Sequence, residues 1–181
     1  MSTGAITLIL GGARSGKSSH ALHLAQETGR PVTFLATAQA LDEEMSARVQ
    51  KHRAERPAHW ETLEFPFGLA PYVGQIKSQV VILDCITLLV SNLVMQYSKE
   101  DLVEEEAFML AVQKEINELV ATLRQQNRDW FIVSNEVGLG LVPPYPMGRV
   151  YRDALGWANQ RLAREADKVI FMVAGIPAAI K

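Results

Sequence analysis

The chain has a single cysteine, Cys85, in 181 residues, so no internal disulfide can form, and no Cys/His spacing matches a structural zinc site. Charge of one sign is missing too. The 18 basic and 20 acidic residues are mixed along the chain and leave a net charge of −2, so no basic stripe is present to neutralise a nucleic-acid backbone. No basic segment followed by a signal-like apolar stretch stands near Met1, and the longest apolar region, VVILDCITLLVSNLVM, is interrupted by Asp84 and by several polar residues. These absences predict a protein that takes no nucleic acid, inserts into no membrane and works in a reducing cytoplasm.

What is present is a hydrophobic fraction of 48%, that of a globular protein with a sizeable core, and a length that suits one domain over residues 1–181. No repeat, low-complexity tract or linker divides it, and PPYP at 143–146 reads as a rigid loop. Short apolar runs that suit buried parallel strands stand at 6–10, 32–37, 79–84, 130–136 and 168–174. Helical segments are predicted over 17–28, 41–55, 86–97, 102–127 and 147–166. Alternation of this kind predicts an α/β fold, a mainly parallel sheet flanked by helices.

The stretch GGARSGKS at 11–18 follows the first strand and opens the first helix. Gly11, Gly16, Lys17 and Ser18 satisfy G-x-x-x-x-G-K-[ST], the phosphate cradle of P-loop NTPase-like (RecA-like) folds. Glycines let the loop from Gly12 through Ala13, Arg14 and Ser15 turn its N–H groups inward, and the helix N-terminus adds partial positive charge. Lys17 can reach the β- and γ-phosphates, and Ser18 is a ligand for Mg²⁺. A site of this class needs an acid at the end of another strand to hold the metal shell, and Asp84, closing QVVILD, is the candidate; it also suits an N-cap.

These features define a Mg²⁺-nucleotide enzyme or switch without choosing the reaction. The discriminating segment is ARVQKHRAERPAHW at 47–60. Leu41, Met45, Val49 and His52 follow the helical period and project to one side. Phosphoryl transfer on a P-loop rarely needs a histidine, whereas a neutral imidazole aimed at a nucleotide can attack phosphorus and hold a nucleotidyl group. Arg48, Arg53 and Arg56 would neutralise phosphate charge. From the residues alone, a single-function kinase, in which His52 only helps bind phosphate, and a GTP-dependent switch stay open.

Several blocks resemble one family nearly end to end: GGARSGKS at 11–18, LATAQALDEEMSARVQKHRAERPAHWETLE at 35–64, LDCITLLVSNL at 83–93, VSNEVGLGLVP at 133–143 and YRDALGWANQRLAREADKVIFMVAGIPAAIK at 151–181. They look like the bifunctional adenosylcobinamide kinase/adenosylcobinamide-phosphate guanylyltransferases of cobalamin biosynthesis. The resemblance implies phosphorylation of adenosylcobinamide with ATP or GTP, then transfer of GMP from GTP to the resulting phosphate, giving adenosylcobinamide-GDP and pyrophosphate. In the family the guanylylated residue is the histidine of H-R-x-x-R-P-x-x-W, which falls on His52; some relatives carry two adjacent histidines where this chain has Lys51 and His52. It further implies a nucleotide site lined by the P-loop, by Thr37, Ala38 and Gln39, and by Arg53, Ala54, Glu55 and Arg56. Glu64 is the implied partner of base or ribose, and an acid is kept at Asp84. Relatives assemble as trimers, so a homotrimer is expected.

The remaining polar and aromatic residues have plainer readings. His20 and His23 suit surface or packing positions, Cys85 a small interior residue rather than a nucleophile, and Trp60, Trp130 and Trp157 core or interface anchors. SNEVGLGLVP combines two glycines and a proline after a strand, which marks a loop of special path bordering the site or a subunit contact.

Overall fold

The computed structural model describes residues 4–39, 43–99 and 102–181. Leu41 and Asp42 lie outside the described residues, as do the side chains of Glu44, Met45, Arg48 and Lys51, so the apolar stripe expected on the second helix is described only at Val49 and His52.

Apolar residues in the strands alternate between two cores, and that alternation sets the layers. In β4 (Val80–Asp84), Val81 and Leu83 join one cluster while Val80 and Ile82 join another. The same division holds in β1 (Ile6–Gly11), β2 (Val32–Ala36) and β7 (Asp129–Val133), so these strands are covered on both faces, as parallel strands require. One face carries α1 (Lys17–Glu27) through Ala21, Leu22 and Ala25, together with Trp60. The other carries α3 (Ala70–Val73), α4 (Ile86–Gln96), α5 (Glu105–Gln125) and α6 (Pro146–Glu165). The long helix α5 buries Phe108, Val112, Ile116, Leu119, Val120 and Leu123, a stripe of helical spacing, and places Glu105 and Glu106 in its first turn and Arg124 in its last, as the helix dipole favours.

With β3 (Glu61–Glu64), β8 (Lys168–Val173) and β9 (Ile176–Ala179), the strands form a seven-stranded sheet in the order β3-β2-β4-β7-β1-β8-β9. All neighbours are parallel except β8 and β9. The mainly parallel α/β architecture read from the sequence is therefore present. Helix α2 (Glu43–Ala54) stands between β2 and β3 in the chain.

Several short elements depart from the sequence reading, the four-residue helix α3 among them. β3 is short and half-exposed and has no apolar run; β9 is exposed throughout and contains Pro177, which an edge strand tolerates because its N–H is not required there. Residues 102–103, expected to begin a helix, instead form β6 (Leu102–Val103), which pairs with β5 (Ser98–Lys99) in a small antiparallel hairpin before α5 starts at Glu105. Among the described residues no helix is long and apolar enough to cross a membrane.

The central strand β1 is pinned at its N-terminal end by two acids. The Ala5 N–H donates to Asp129 Oδ1 and the Ile6 N–H to Asp167 Oδ2, each at 2.8 Å, and these acids begin or immediately precede the two strands that flank β1. Arg30 pairs with Asp129, and Arg124 with Asp167. The Ile6 N–H and Arg124 hold the Asp167 carboxyl below its ordinary range. Burial pushes Asp129 up, but the Ala5 N–H and Arg30 outweigh it and leave that carboxyl low as well. Groups depressed in the folded state stabilise it above their unfolded pKa of about 3.9, and that contribution is lost as pH falls through the folded values. The urea midpoint is accordingly expected to fall from about pH 4 downward. Asp167→Asn should lower the midpoint at neutral pH, with its gap to the parent chain narrowing in acid; a constant gap would remove Asp167 from the linkage.

Candidate active site

The phosphate cradle begins where β1 stops. Gly11 has φ 151°, and a β-carbon there would stand 2.5 Å from the Met172 carbonyl oxygen and 2.7 Å from Ser15 Oγ, so only glycine fits. Arg14 takes the left-handed region at φ 56°, and Gly16, at φ 93°, hands the chain to α1. The loop is gripped from both flanks: the Gly175 N–H donates to Ser15 O and the Glu136 N–H to Gly11 O, both at 3.0 Å. Gly12, Ala13 and Arg14 are exposed while Ser15 is buried. Lys17 is buried as well, and its Nζ donates to Gly12 O at 2.6 Å. Burial lowers its pKa, and the nearby Cys85 and Asp84 oppose that only in part.

Asp84 closes β4 beside this loop. Burial raises its carboxyl pKa, against a hydrogen bond from the Ser18 hydroxyl and the positive fields of His52, Arg56 and Lys17. Ser18 and Asp84 thus present two hard oxygen donors to one place, a set that suits a small divalent cation sharing its shell with phosphates and water. Among the described residues no group of three or more His, Cys, Asp or Glu could hold a metal ion unaided.

A threonine holds this junction together. Thr37 is fully buried; its hydroxyl donates to Cys85 O at 2.6 Å and accepts the Cys85 N–H at 2.9 Å, and its own N–H donates to Asp84 O at 3.2 Å. Asn92 Nδ2 then donates to Thr37 O at 2.8 Å and to Pro66 O at 3.0 Å. The Thr37 side chain is therefore occupied in fixing the peptide after Asp84, while the half-buried Ala38 and Gln39 extend from it. Cys85 itself is half-buried, and burial with the adjacent Asp84 pushes its thiol up to about 12, which suits an inert residue.

The segment at the end of α2 faces the same edge of the sheet. His52 Nδ1 lies 3.3 Å from Glu55 Oε2, with both side chains part-exposed, and the ring is near enough to Asp84 for its charge to be felt there. Arg53 Nη1 pairs with Glu64 Oε1 at 3.8 Å. Arg56 lies flat over Phe34, 3.5 Å from the ring centroid; burial lowers its pKa, and its Nε has no partner in the described structure. Ala54 is exposed beside them. His59 stands elsewhere, in a cavity with Trp60 and Arg30.

The structure thus gathers Lys17, Ser18, Asp84, Arg56 and His52 into one electrostatic cluster, with Arg53 and Glu64 paired nearby. Nothing in the sequence pattern marks Asn92 or Gly175, whose roles depend on partners far away in the chain. The glycines and proline of 134–143 did mark a loop of special path, and its first residues border the cradle: Glu136 holds Gly11 O, and the Asn135 N–H donates to Thr87 Oγ1 at 2.7 Å. Behind it, Ser134 Oγ donates to Asn159 Oδ1 at 2.7 Å, and Asn159 Nδ2 donates to Asn135 O at 2.9 Å, which ties the loop to α6.

A strand, a glycine turn and a helix whose lysine and serine meet an acid from another parallel strand define a P-loop protein of RecA-like fold. The solved structure of the RadB recombinase shares that fold, with a TM-score of 0.52 over 93% of this chain and 74% of that one, at 14% sequence identity. Sequence comparison goes further: residues 7–180 match the family of cobinamide kinase / cobinamide phosphate guanyltransferase, and the chain belongs to it. It is 42% identical over 179 residues to the bifunctional adenosylcobalamin biosynthesis protein CobP of Pseudomonas aeruginosa, covering 96% of each chain. The protein CobU of Escherichia coli K12, with the same bifunctional description, is 40% identical over 179 residues, covering 96% of this chain and 98% of that one. The family and its pair of enzyme activities, expected from the sequence blocks, are borne out.

Two measurements follow from the Thr37–Cys85 junction. Thr37→Val removes both bonds to Cys85 and leaves its peptide groups without these partners, which should cost about 1–3 kcal/mol in urea unfolding; an unchanged midpoint would show the hydroxyl to be dispensable. Cys85 should resist a thiol-specific disulfide reagent at pH 8 in the folded protein and react as one thiol per chain on unfolding; prompt reaction in the folded state would contradict its high pKa.

Proposed function

We propose that this chain phosphorylates the aminopropanol hydroxyl of adenosylcobinamide with ATP or GTP and then carries GMP from GTP on His52 to the new phosphate. The products are adenosylcobinamide-GDP and pyrophosphate. The observation that carries this reading is the placement of His52 in the last turn of α2, a segment that meets the strand edge through Arg56 over Phe34 of β2 and through Arg53 paired with Glu64 at the end of β3. A histidine brought to that edge of a P-loop protein has a use in nucleotidyl transfer that simple phosphoryl transfer does not require.

In the kinase step the ammonium of Lys17 exchanges the Gly12 carbonyl for the β- and γ-phosphate oxygens, and the loop from Gly11 through Gly16 presents its N–H groups to them. Catalysis here is positioning and charge stabilisation. Mg²⁺, held by Ser18 with Asp84 completing its shell, would neutralise charge on the phosphate oxygens. In the guanylyl step an imidazole nitrogen of His52 attacks the α-phosphorus of GTP, and pyrophosphate leaves. Arg56, a half-buried guanidinium whose Nε is buried without a partner in the described structure, is the cation for the α-phosphate. Glu64 offers acceptors to the guanine N1–H and amino group once Arg53 turns to phosphate, a match that adenine lacks. Thr37 serves by holding the Asp84 junction, and Ala38, Gln39, Ala54 and Glu55 wall the site.

The same reading includes a cytoplasmic homotrimer. Large apolar side chains exposed at Met95, Leu102, Leu110, Leu139 and Leu141 supply surface for contacts between chains.

The test is labelling with α-³²P-GTP and Mg²⁺, followed by alkaline denaturation. The parent chain should retain acid-labile label, His52→Ala none, and Lys17→Ala at least about 10²-fold less at equal time. Label retained by His52→Ala would mean another nucleophile, and no label on the parent chain would leave a kinase alone. Sedimentation equilibrium at three times the chain mass would support the trimer; a monomer would refute it.

A further inference from the structure

We infer that Glu55 is a positioning residue that sets the tautomer of His52, so that GMP is carried on Nε2 of the imidazole rather than on Nδ1. The inference rests on the guanylyl-histidine reading and deepens it.

Residues three apart on a helix share a face, and α2 uses that spacing to set Glu55 Oε2 3.3 Å from His52 Nδ1. An ionised carboxylate only accepts hydrogen bonds, so a bond closed across that 3.3 Å has Nδ1 as its donor. A neutral imidazole has one N–H, and with that proton on Nδ1 the lone pair lies on Nε2. The charged groups whose fields reach Asp84, besides His52, are Lys17 from α1 and Arg56 just beyond α2. Asp84 answers to Ser18 and to the cations. Glu64, the other acid facing this end of α2, is paired with Arg53. Among the described residues Glu55 is the carboxylate paired with a ring nitrogen of His52, at 3.3 Å.

This arrangement closes the proton balance of both half-reactions. The Nε2 lone pair attacks the α-phosphorus, and the bond from that phosphorus to the bridging oxygen breaks, its electron pair leaving with pyrophosphate. Nδ1 keeps its proton throughout. The intermediate is an N-phosphorylated imidazolium whose positive charge lies beside the Glu55 carboxylate, and no proton need be exported. In the second half a phosphate oxygen of adenosylcobinamide phosphate attacks the same phosphorus. The N–P bond breaks, the pair returns to Nε2, and the leaving group is neutral imidazole rather than imidazolate. With the tautomer reversed, Nε2 would have no lone pair to offer.

The pair is half-exposed, so its effect should be smaller than the roughly 10⁴-fold known where a buried carboxylate sets a catalytic histidine's tautomer. At saturating GTP the single-turnover rate of label formation in Glu55→Ala should fall about 10-fold, with less than about a twofold change in KM for GTP. Glu55→Gln, whose amide oxygen can accept the same hydrogen bond, should recover most of that rate. In the parent chain labelled with ¹⁵N-histidine, the ³¹P–¹⁵N coupling of the guanylylated protein should assign phosphorus to Nε2.

GMP on Nδ1, an unchanged rate in Glu55→Ala, or a loss confined to KM would each overturn the inference. If Glu55→Ala does not fold, the nitrogen assignment in the parent chain and the rate of Glu55→Gln decide. Absence of label on the parent chain would remove the guanylyl-histidine reading itself, an outcome distinct from label found on the wrong nitrogen.

Discussion

The site depends on the in-register alignment of parallel strand ends. Glu64 of β3 is opposite Ala36 of β2, Ala36 is opposite Asp84 of β4, and Asp84 is opposite Val133 of β7. Parallel strands all point their C-terminal ends to one side, so this row forms a single edge, with Thr37 and Ser134 one step beyond it and Gly11 ending β1 alongside. Because strand faces alternate, Asp84 continues the face of Val80 and Ile82, the face that carries α1 and therefore Lys17 and Ser18. A slip of one residue in β4 would turn Asp84 toward α4 and α6 and away from the cradle. Apolar packing on both faces makes such a slip costly, so the core and the chemistry are specified by the same pairing.

Charge at that edge is in tension by construction. Burial weakens the cationic forms of Lys17 and Arg56 and the anionic form of Asp84, and each is partly restored by the others. The cluster holds more positive than negative charge while having little water to solvate it. A polyphosphate supplies the anions that such a group lacks, and a divalent cation offsets the carboxylate; the energy gained when they arrive together can be used to reorganise the loop and α2. The ammonium of Lys17 folded on Gly12 O is a local substitute for that partner, satisfied by a neutral dipole where a phosphate would serve better.

The legibility of these features in the sequence followed their physical origin. The P-loop was readable because it is a backbone requirement: a residue with a side chain at Gly11 would collide with Met172, and that intolerance appears directly as glycine. The buried strands β1, β2, β4 and β7 were readable because burial on two faces demands continuous apolar runs, and β8, part-buried, was readable from its run of apolar residues. β3 and β9 are edge strands with exposed side chains, and no pattern separates them from loops. Across the site, Lys17, Ser18, Asp84 and His52 could be named from residue type and position. The Thr37 hydroxyl bonds and the Asn92 clamp link residues 48 and 55 positions apart, and a bond between a side chain and distant backbone leaves no periodic trace. Arg53 and Glu64 were each named for the site, but their ion pair was hidden because it joins α2 to β3 across a loop whose path the pattern does not set.

The grip of Gly175 on Ser15 has a bearing on how the cradle is built. The loop that cradles phosphate leans on a turn between β8 and β9, and its parent strand β1 is sandwiched between β7 and β8. The glycine signature is thus completed by residues some 160 positions further along the chain. Ser15 receives its bond from Gly175, and Gly11 is enclosed against Met172. The binding loop is therefore finished by parts of the chain far from it in sequence, and damage to the turn between β8 and β9 would be felt as a loss of phosphate binding.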